Sequence, residues 1–326
     1  MLQNFRDLVG ATGAHFASPM TEGIPMRPVK GQLHLGASMY VPCTQDPETL
    51  AAIANGEKYP FLRSVIFCTE DAVREDKLNA ALENLKQALR MFRDVEHPMR
   101  FIRVRNPHVL GRCIAFRGIE QVDGFVLPKI TAETLPAYLS QLTNRDSFSL
   151  MPTLETEEIF DPHQRRELKK LLMRDKVRNR ILCLRIGGND LLNCIGQRRP
   201  KDRTIYDTPV GALIGELVRE FLPHGFGLTA PVFELIDDRY QELLEEEIRR
   251  DLANGLFGKT AIHPGQIAKI ESMFRVERSD LEEAEAILAP DAPAVFRMGG
   301  RMCEPTTHSR WARDILLRAQ VYGILG

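Results

Sequence analysis

Polar residues able to do acid, base or metal chemistry recur at the ends of short apolar runs. Glu70 and Asp71 follow Ser64–Thr69, and Arg103 and Arg105 alternate along Arg100–Arg105. Lys129 follows Gly124–Pro128, Glu155 follows Phe148–Thr153, Asp190 follows Ile181–Ile186, and His263 closes Thr260–His263. Two carboxylates with the remaining positions open suit Mg²⁺, which takes oxygen ligands octahedrally and keeps room for water and substrate. Glu155 and Asp190 come from successive runs and are the candidate metal ligands, although spacing alone fits a cap on the following helix more commonly. Arg103 and Arg105 share a face if their run is a strand. A guanidinium fork there matches a carboxylate substrate, or pairs with Glu70 or Asp71. Lys129 is a further candidate contact for an acid, or a salt-bridge partner. His263, alone before Pro264, reads as structural ahead of catalytic.

For these residues to meet, their runs must be strands of one sheet. Eight runs qualify: Ala37–Pro42, Gly225–Ala230 and the six above, alternating with segments long enough for one helix each. That pattern predicts an α/β fold, a (β/α)₈ TIM barrel in which catalytic groups stand at the C-terminal strand ends. No GxGxxG follows the first run, which weakens a dinucleotide-binding reading. Asp71–Phe92 carries Leu78, Leu82, Leu85 and Leu89 at helical spacing, and Phe233–Leu252 carries Phe233, Ile236, Tyr240, Leu244 and Ile248. The acidic face Glu242–Glu247 and the basic helix His163–Arg180 read as solvated surface. The basic loop Gln197–Arg203 either holds an anionic tail or is solvated.

Residues 1–33 read as an N-terminal extension, 34–288 as the barrel, and 289–326 as a Pro- and Gly-rich linker with a last helix over about Glu304–Leu325. Trp311, Ile315, Ala319 and Tyr322 form an apolar stripe on that helix, which packs on its own barrel or on a neighbouring subunit. The composition, 44% hydrophobic and 27% charged with a net charge of −1, supports a large core. It gives no electrostatic reason to expect nucleic acid or an anionic membrane as partner. No run approaches a membrane span or a secretory leader. The six scattered cysteines read as reduced thiols in a cytoplasmic protein.

Taken in order, these segments resemble the citrate lyase β-subunit-like branch of the HpcH/HpaI aldolase family, closest to divergent C–C lyase barrels of tellurium-resistance gene clusters. Gly36–Pro42 resembles the family's opening strand, Glu70–Val73 with Lys77 its LEDAV…K segment, and Leu127–Lys129 its LPK. Arg103 falls on the family's substrate-binding arginine; Glu155 and Asp190 fall on its metal-binding carboxylates. Gly255–Gln266 resembles GFxGKxxIHPxQ and is the most specific stretch. Cys68 and Arg105 depart from the family's usual Asp and Asn, which implies an altered pocket rim.

The resemblance implies a Mg²⁺-dependent (or Mn²⁺-dependent) carbon–carbon lyase acting on a 2-oxo or hydroxy acid, or its CoA thioester, through a metal-stabilised enolate. On that reading Arg103, Glu70 and Asp71 are catalytic, Arg103, Arg105 and Lys129 bind the small carboxylate substrate, and the protein is a homo-oligomer. The alternatives are a catalytically silent scaffold or regulator, and a biosynthetic enzyme that forms the bond.

Overall fold

The structure is a computed structural model that describes residues 31–96, 98–143 and 146–325. The extension expected over 1–33 lies, for residues 1–30, outside the described residues. Eight parallel strands run in spatial order: β1 (Ala37–Pro42), β2 (Ser64–Cys68), β3 (Met99–Arg103), β4 (Gly124–Leu127), β5 (Ser149–Leu154), β6 (Leu184–Ile186), β7 (Leu228–Thr229) and β8 (Lys259–Ala261). β8 pairs with β1. The seam between β7 and β8 is closed by the bridge Ala230↔Lys259, with Ala230 N donating to Gly258 O at 2.8 Å. This is a TIM barrel.

Side chains alternate across each strand, so every run serves two environments. Outward residues such as Val65, Phe67, Ile102, Phe125 and Leu150 are buried in a layer shared with the helices. Inward residues Ile66, Met99, Phe101, Val126, Met151 and Cys183 fill the barrel with Leu35, and Tyr40 packs on them. Burial on both faces explains why the strands read as continuous apolar runs.

The helices start where the chain supplies caps. Asp46 accepts from Thr49 N at 2.7 Å ahead of α1 (Pro47–Ala54), and Asn106 accepts from Val109 N at 2.9 Å ahead of α3 (Pro107–Ile114). Between them lies α2 (Leu78–Leu89); α4 (Leu135–Leu139) follows. Asp161 caps α5 (Pro162–Leu172), accepting from His163 N at 2.7 Å. A proline at the first helical turn accompanies each of these three caps, where its missing N–H has no cost. The remaining barrel helices are α6 (Asp175–Arg178), α7 (Gly188–Cys194), α8 (Pro209–Phe221), α9 (Gln241–Ala253) and α10 (Ile267–Met273).

Beyond the barrel, α11 (Arg278–Leu288) leads into a small hairpin, β9 (Phe296–Met298) and β10 (Arg301–Cys303), turned at Gly299-Gly300 with φ of 56° and 80°. The last helix, α12 (Pro305–Tyr322), lays Ala312 and Ile315 against Val276, Ala284, Ile287 and Cys303, with Trp311 and Ala319 packed beside them. Tyr322 Oη accepts from Gly36 N at 3.1 Å and donates to Leu33 O, so the stripe's far end anchors beneath β1. The stripe therefore packs within its own chain. No helix among the described residues is long and apolar enough to cross a membrane.

Five expectations change. The basic stretch His163–Arg180 is split between α5 and α6, and its Arg165 is buried against Glu216 and Ile159 O rather than solvated. Helix α2 begins at Leu78 rather than Asp71, because Glu70 to Val73 form a turn closed by Val73 N on Glu70 O at 2.8 Å. Helix α9 begins at Gln241 rather than Phe233, leaving Ile236 52% exposed instead of on an apolar stripe. Glu247, expected in a solvated face, is fully buried between Arg199 and Lys259. Strand β3 stops at Arg103, so Arg105 does not share its face by strand alternation.

Candidate functional site

The C-terminal ends of β2 to β6 bring six of the singled-out side chains together. Thr69 pins the end of β2 to β3 through its N–H (3.0 Å) and hydroxyl (2.9 Å), both donating to Arg103 O. This sets Glu70 and Asp71 above Arg103. Arg103 Nη2 lies 2.9 Å from Glu70 Oε2, 3.1 Å from Asp71 Oδ2 and 3.1 Å from Glu155 Oε1. Its Nε is buried and has no hydrogen-bond partner.

Lys129 reaches the same carboxylates from β4. It has φ of 51°, a left-handed conformation uncommon for a residue with a side chain. That turn sends its N–H to Glu155 Oε1 at 2.9 Å, while Nζ lies 2.8 Å from Glu70 Oε1 and 3.2 Å from Asp71 Oδ1. Glu155, just past β5, is only 3% exposed. Gly187 packs directly on it: a Cβ there would overlap Glu155 Cβ and Oε2. Asp190 stands in the first turn of α7, and no described side chain forms an ion pair with it.

The electrostatics follow from burial and crowding of like charges. Burial drives the Glu155 carboxyl up, Arg103 opposes and Asp190 adds to the rise, and the group is pushed up to about 7. Asp190 is raised by burial and then by Asp71. Glu70 is raised by burial and by its hydrogen bond with Asp71. Burial also acts upward on Asp71, but that bond and Arg103 outweigh it and hold Asp71 low. Two cations, Arg103 and Lys129, thus face four carboxylates, a deficit of two positive charges when all four ionise. The deficit equals the charge of one divalent ion, and the oxygen-only donors of Glu155 and Asp190 are those Mg²⁺ and Mn²⁺ prefer. Among the described residues no group of three or more His, Cys, Asp or Glu is arranged to hold a metal ion.

Glu155 accepts from Lys129 and Arg103, and the N-caps that follow, Thr156 and Gly187, make no side-chain cap hydrogen bond. Asp190, in the first turn of α7, also complements the helix N-terminus. Arg105 lies apart from the cluster. Its Nη1 pairs with Glu75 at 2.6 Å, and its other donors go to Thr69 O, Glu70 O and Val73 O. It braces the loop that carries Glu70. His263 is exposed and caps the next turn, Nδ1 accepting from Gly265 N at 3.2 Å. In the basic loop, Arg199 is buried against Glu247 and Val232 O, Arg198 reaches Glu234, and Arg203 pairs with Asp202. Cys68, where a carboxylate was the usual expectation, lies within 3.5 Å of Glu70 N.

Three features escaped the sequence reading. Gly187 matters through close approach, and its place opposite Glu155 is set by pairing of β5 with β6. The Lys129 backbone acts as a donor only because of its left-handed turn. Arg185, a charge inside an apolar run with inward parity, was the one legible signal.

A parallel eight-stranded barrel with interlocked carboxylates and cations on its C-terminal rim defines a TIM-barrel enzyme. The chain belongs to the family of C–C bond lyases of the TIM-barrel fold, whose model matches residues 30–324. A (3S)-malyl-CoA thioesterase of Cereibacter sphaeroides is 26% identical over 270 residues, 79% of this chain and 86% of that protein. CitE from Mycobacterium tuberculosis, crystallised with magnesium, acetoacetate and coenzyme A, is similar with a TM-score of 0.65 at 19% identity, over 89% of this chain and 99% of that one. Haloferax volcanii malate synthase, in a magnesium and glyoxylate complex, is similar with a TM-score of 0.58 at 15% identity, over 73% and 74% of the two chains. The citrate lyase β-like resemblance is borne out by the family and these relatives.

Proposed function

We propose that this protein is a Mg²⁺-dependent carbon–carbon bond lyase acting on a 2-oxo or hydroxy acid or its CoA thioester. The observation that carries the reading is the charge deficit on the rim, centred on the buried Glu155 and the unpaired Asp190. Glu155 and Asp190 would hold the ion, and Mn²⁺ would serve in its place. The magnesium, coenzyme A and small acids held by the CitE and malate synthase structures support the choice of ion and substrate class. A bound divalent ion supplies positive charge to the oxygen on which negative charge develops as the bond β to the carbonyl breaks.

The chain's own residues do the rest. Arg103 Nε, buried and unpartnered, donates to a substrate carboxylate oxygen. Glu70 and Asp71 hold the guanidinium in orientation from above. Lys129 N–H and Gly187 fix the Glu155 rotamer from two sides. Lys129 Nζ offsets the charge of Glu70 and Asp71, and serves the substrate only when released from them.

Exchange of the methyl protons of pyruvate and of acetyl-CoA into D₂O, followed by proton NMR with Mg²⁺ and protein, tests this reading for the free acid and for the thioester. Exchange above the buffer and Mg²⁺ background, lost in Asp190→Ala, is the expected result. Exchange no faster than background, or unchanged in Asp190→Ala, contradicts it.

A further inference from the structure

Beneath the rim the barrel interior holds a cation that the rim chemistry leaves unused. Arg185, in the middle of β6, is 2% exposed. Its register partners are Thr153 on β5 and Thr229 on β7. Its guanidinium crosses the interior: Nη2 donates to Thr260 Oγ1 on β8 at 2.6 Å, and Nη1 lies 4.0 Å from Met151 Sδ. The group also lies 5.6 Å from the centroid of the Tyr40 ring, which Arg103 approaches at 5.8 Å. Among the described residues no carboxylate forms an ion pair with Arg185. The hydroxyls of Thr153 and Thr229, on the strands flanking it, are buried with no hydrogen-bond partner.

A buried guanidinium without a counter-ion is strongly unfavourable, and buried hydroxyls are ordinarily bonded. The rim lacks positive charge; the layer below has one positive charge and two idle hydroxyls to spare. Gly187, which touches Glu155, is two residues beyond Arg185 on the same strand face, so the two layers are roughly 6–7 Å apart along the strand. The geometry points to an anion subsite on the floor of the barrel mouth, built from Arg185, Thr153, Thr229 and Thr260, that seats a second carboxylate of the substrate. Arg185 is then a specificity-determining residue that selects a small acid with two carboxylates over its monocarboxylate analogue. This inference rests on the reading of the rim as the reacting end.

Racemic malate and racemic lactate are the probes, since they share the 2-hydroxy acid end and differ by the terminal carboxylate. Calorimetric titration of Mg²⁺-loaded wild type should show malate binding about tenfold tighter than lactate, about 1.4 kcal/mol. Arg185→Met should bring the ratio close to one, and Arg185→Lys should restore part of it. Equal affinities in wild type, or an undiminished preference in a folded Arg185→Met, overturn the subsite. The wild-type arm stands even if the variant does not fold. Melting of metal-free protein gives a second readout: malate should stabilise wild type beyond chloride at equal ionic strength, and not Arg185→Met. Loss of Mg²⁺ binding with that shift intact strikes the metal reading and keeps the floor. Intact Mg²⁺ binding with no malate preference overturns the floor alone.

Discussion

Arg103 holds three carboxylates through a single nitrogen, and those carboxylates are held in turn by Lys129 and by each other. Rotamers locked in this way depend on small neighbours. Gly187→Ala should push Glu155 aside and weaken Mg²⁺ binding by about 10–100-fold, as changes beside metal ligands do; calorimetry with unchanged affinity would show that the close approach is dispensable. The Glu155 carboxyl makes a second prediction. Folded, it binds its proton up to about 7, against the ordinary value of 4.5. Between those values the native state holds the extra proton, so this group's contribution to metal-free stability falls as pH rises through the window. Thermal melts of metal-free wild type and Glu155→Gln from about pH 5 to 8 should therefore show wild type losing ground to the variant. A difference that stays flat with pH contradicts the raised carboxyl. Sequence made Glu155, Asp190 and Arg103 visible because their types recur at strand ends. It did not reveal that Arg105 serves the Glu70 loop, because β3 ends at Arg103, two residues short of the expected run.

At the scale of elements, the seam from β7 to β8 is joined by an isolated bridge, and a buried ion cluster stands beside it. Lys259 Nζ, fully buried on β8, lies 3.1 Å from Glu247 Oε1, 2.7 Å from Asp251 Oδ2 and 3.1 Å from Pro231 O. Removing one partner strands the others, so Lys259→Met should destabilise the protein by about 3–5 kcal/mol in denaturant melts. A loss under about 1 kcal/mol would mean the acids go neutral without strain. On α12, Ile315→Ala should cost about 2–5 kcal/mol, because Ile315 fills a cluster with Val276, Ala284 and Ile287. A melt unchanged by that substitution would place the stripe outside the chain's own packing. The stripe was plain in the sequence, but its partner was not, since α11 and the Gly299-Gly300 hairpin that bring Cys303 to it are set by contacts distant in sequence. Glu247 illustrates the same limit: an acidic run on a helix reads as solvated until Arg199 and Lys259 arrive from elsewhere.

For the whole molecule, the order of strands was legible because eight apolar runs alternate with helical segments, the pattern of a closed parallel barrel. Strand ends were less so: β6 and β7 are shorter than their apolar runs, whose residues Ile181 and Ala230 pair only through isolated bridges. The barrel gathers acids from β2, β5 and β6 over one rim and leaves them short of positive charge, which is the basis for placing a divalent ion there. The measurement that tests this most directly is calorimetric titration of metal-free protein with Mg²⁺ and Mn²⁺, with and without pyruvate, beside the Glu155→Ala, Asp190→Ala double variant. Metal binding that tightens with pyruvate and vanishes in the double variant is the predicted result; binding that survives in the double variant, or no binding to wild type under any of these conditions, would contradict it.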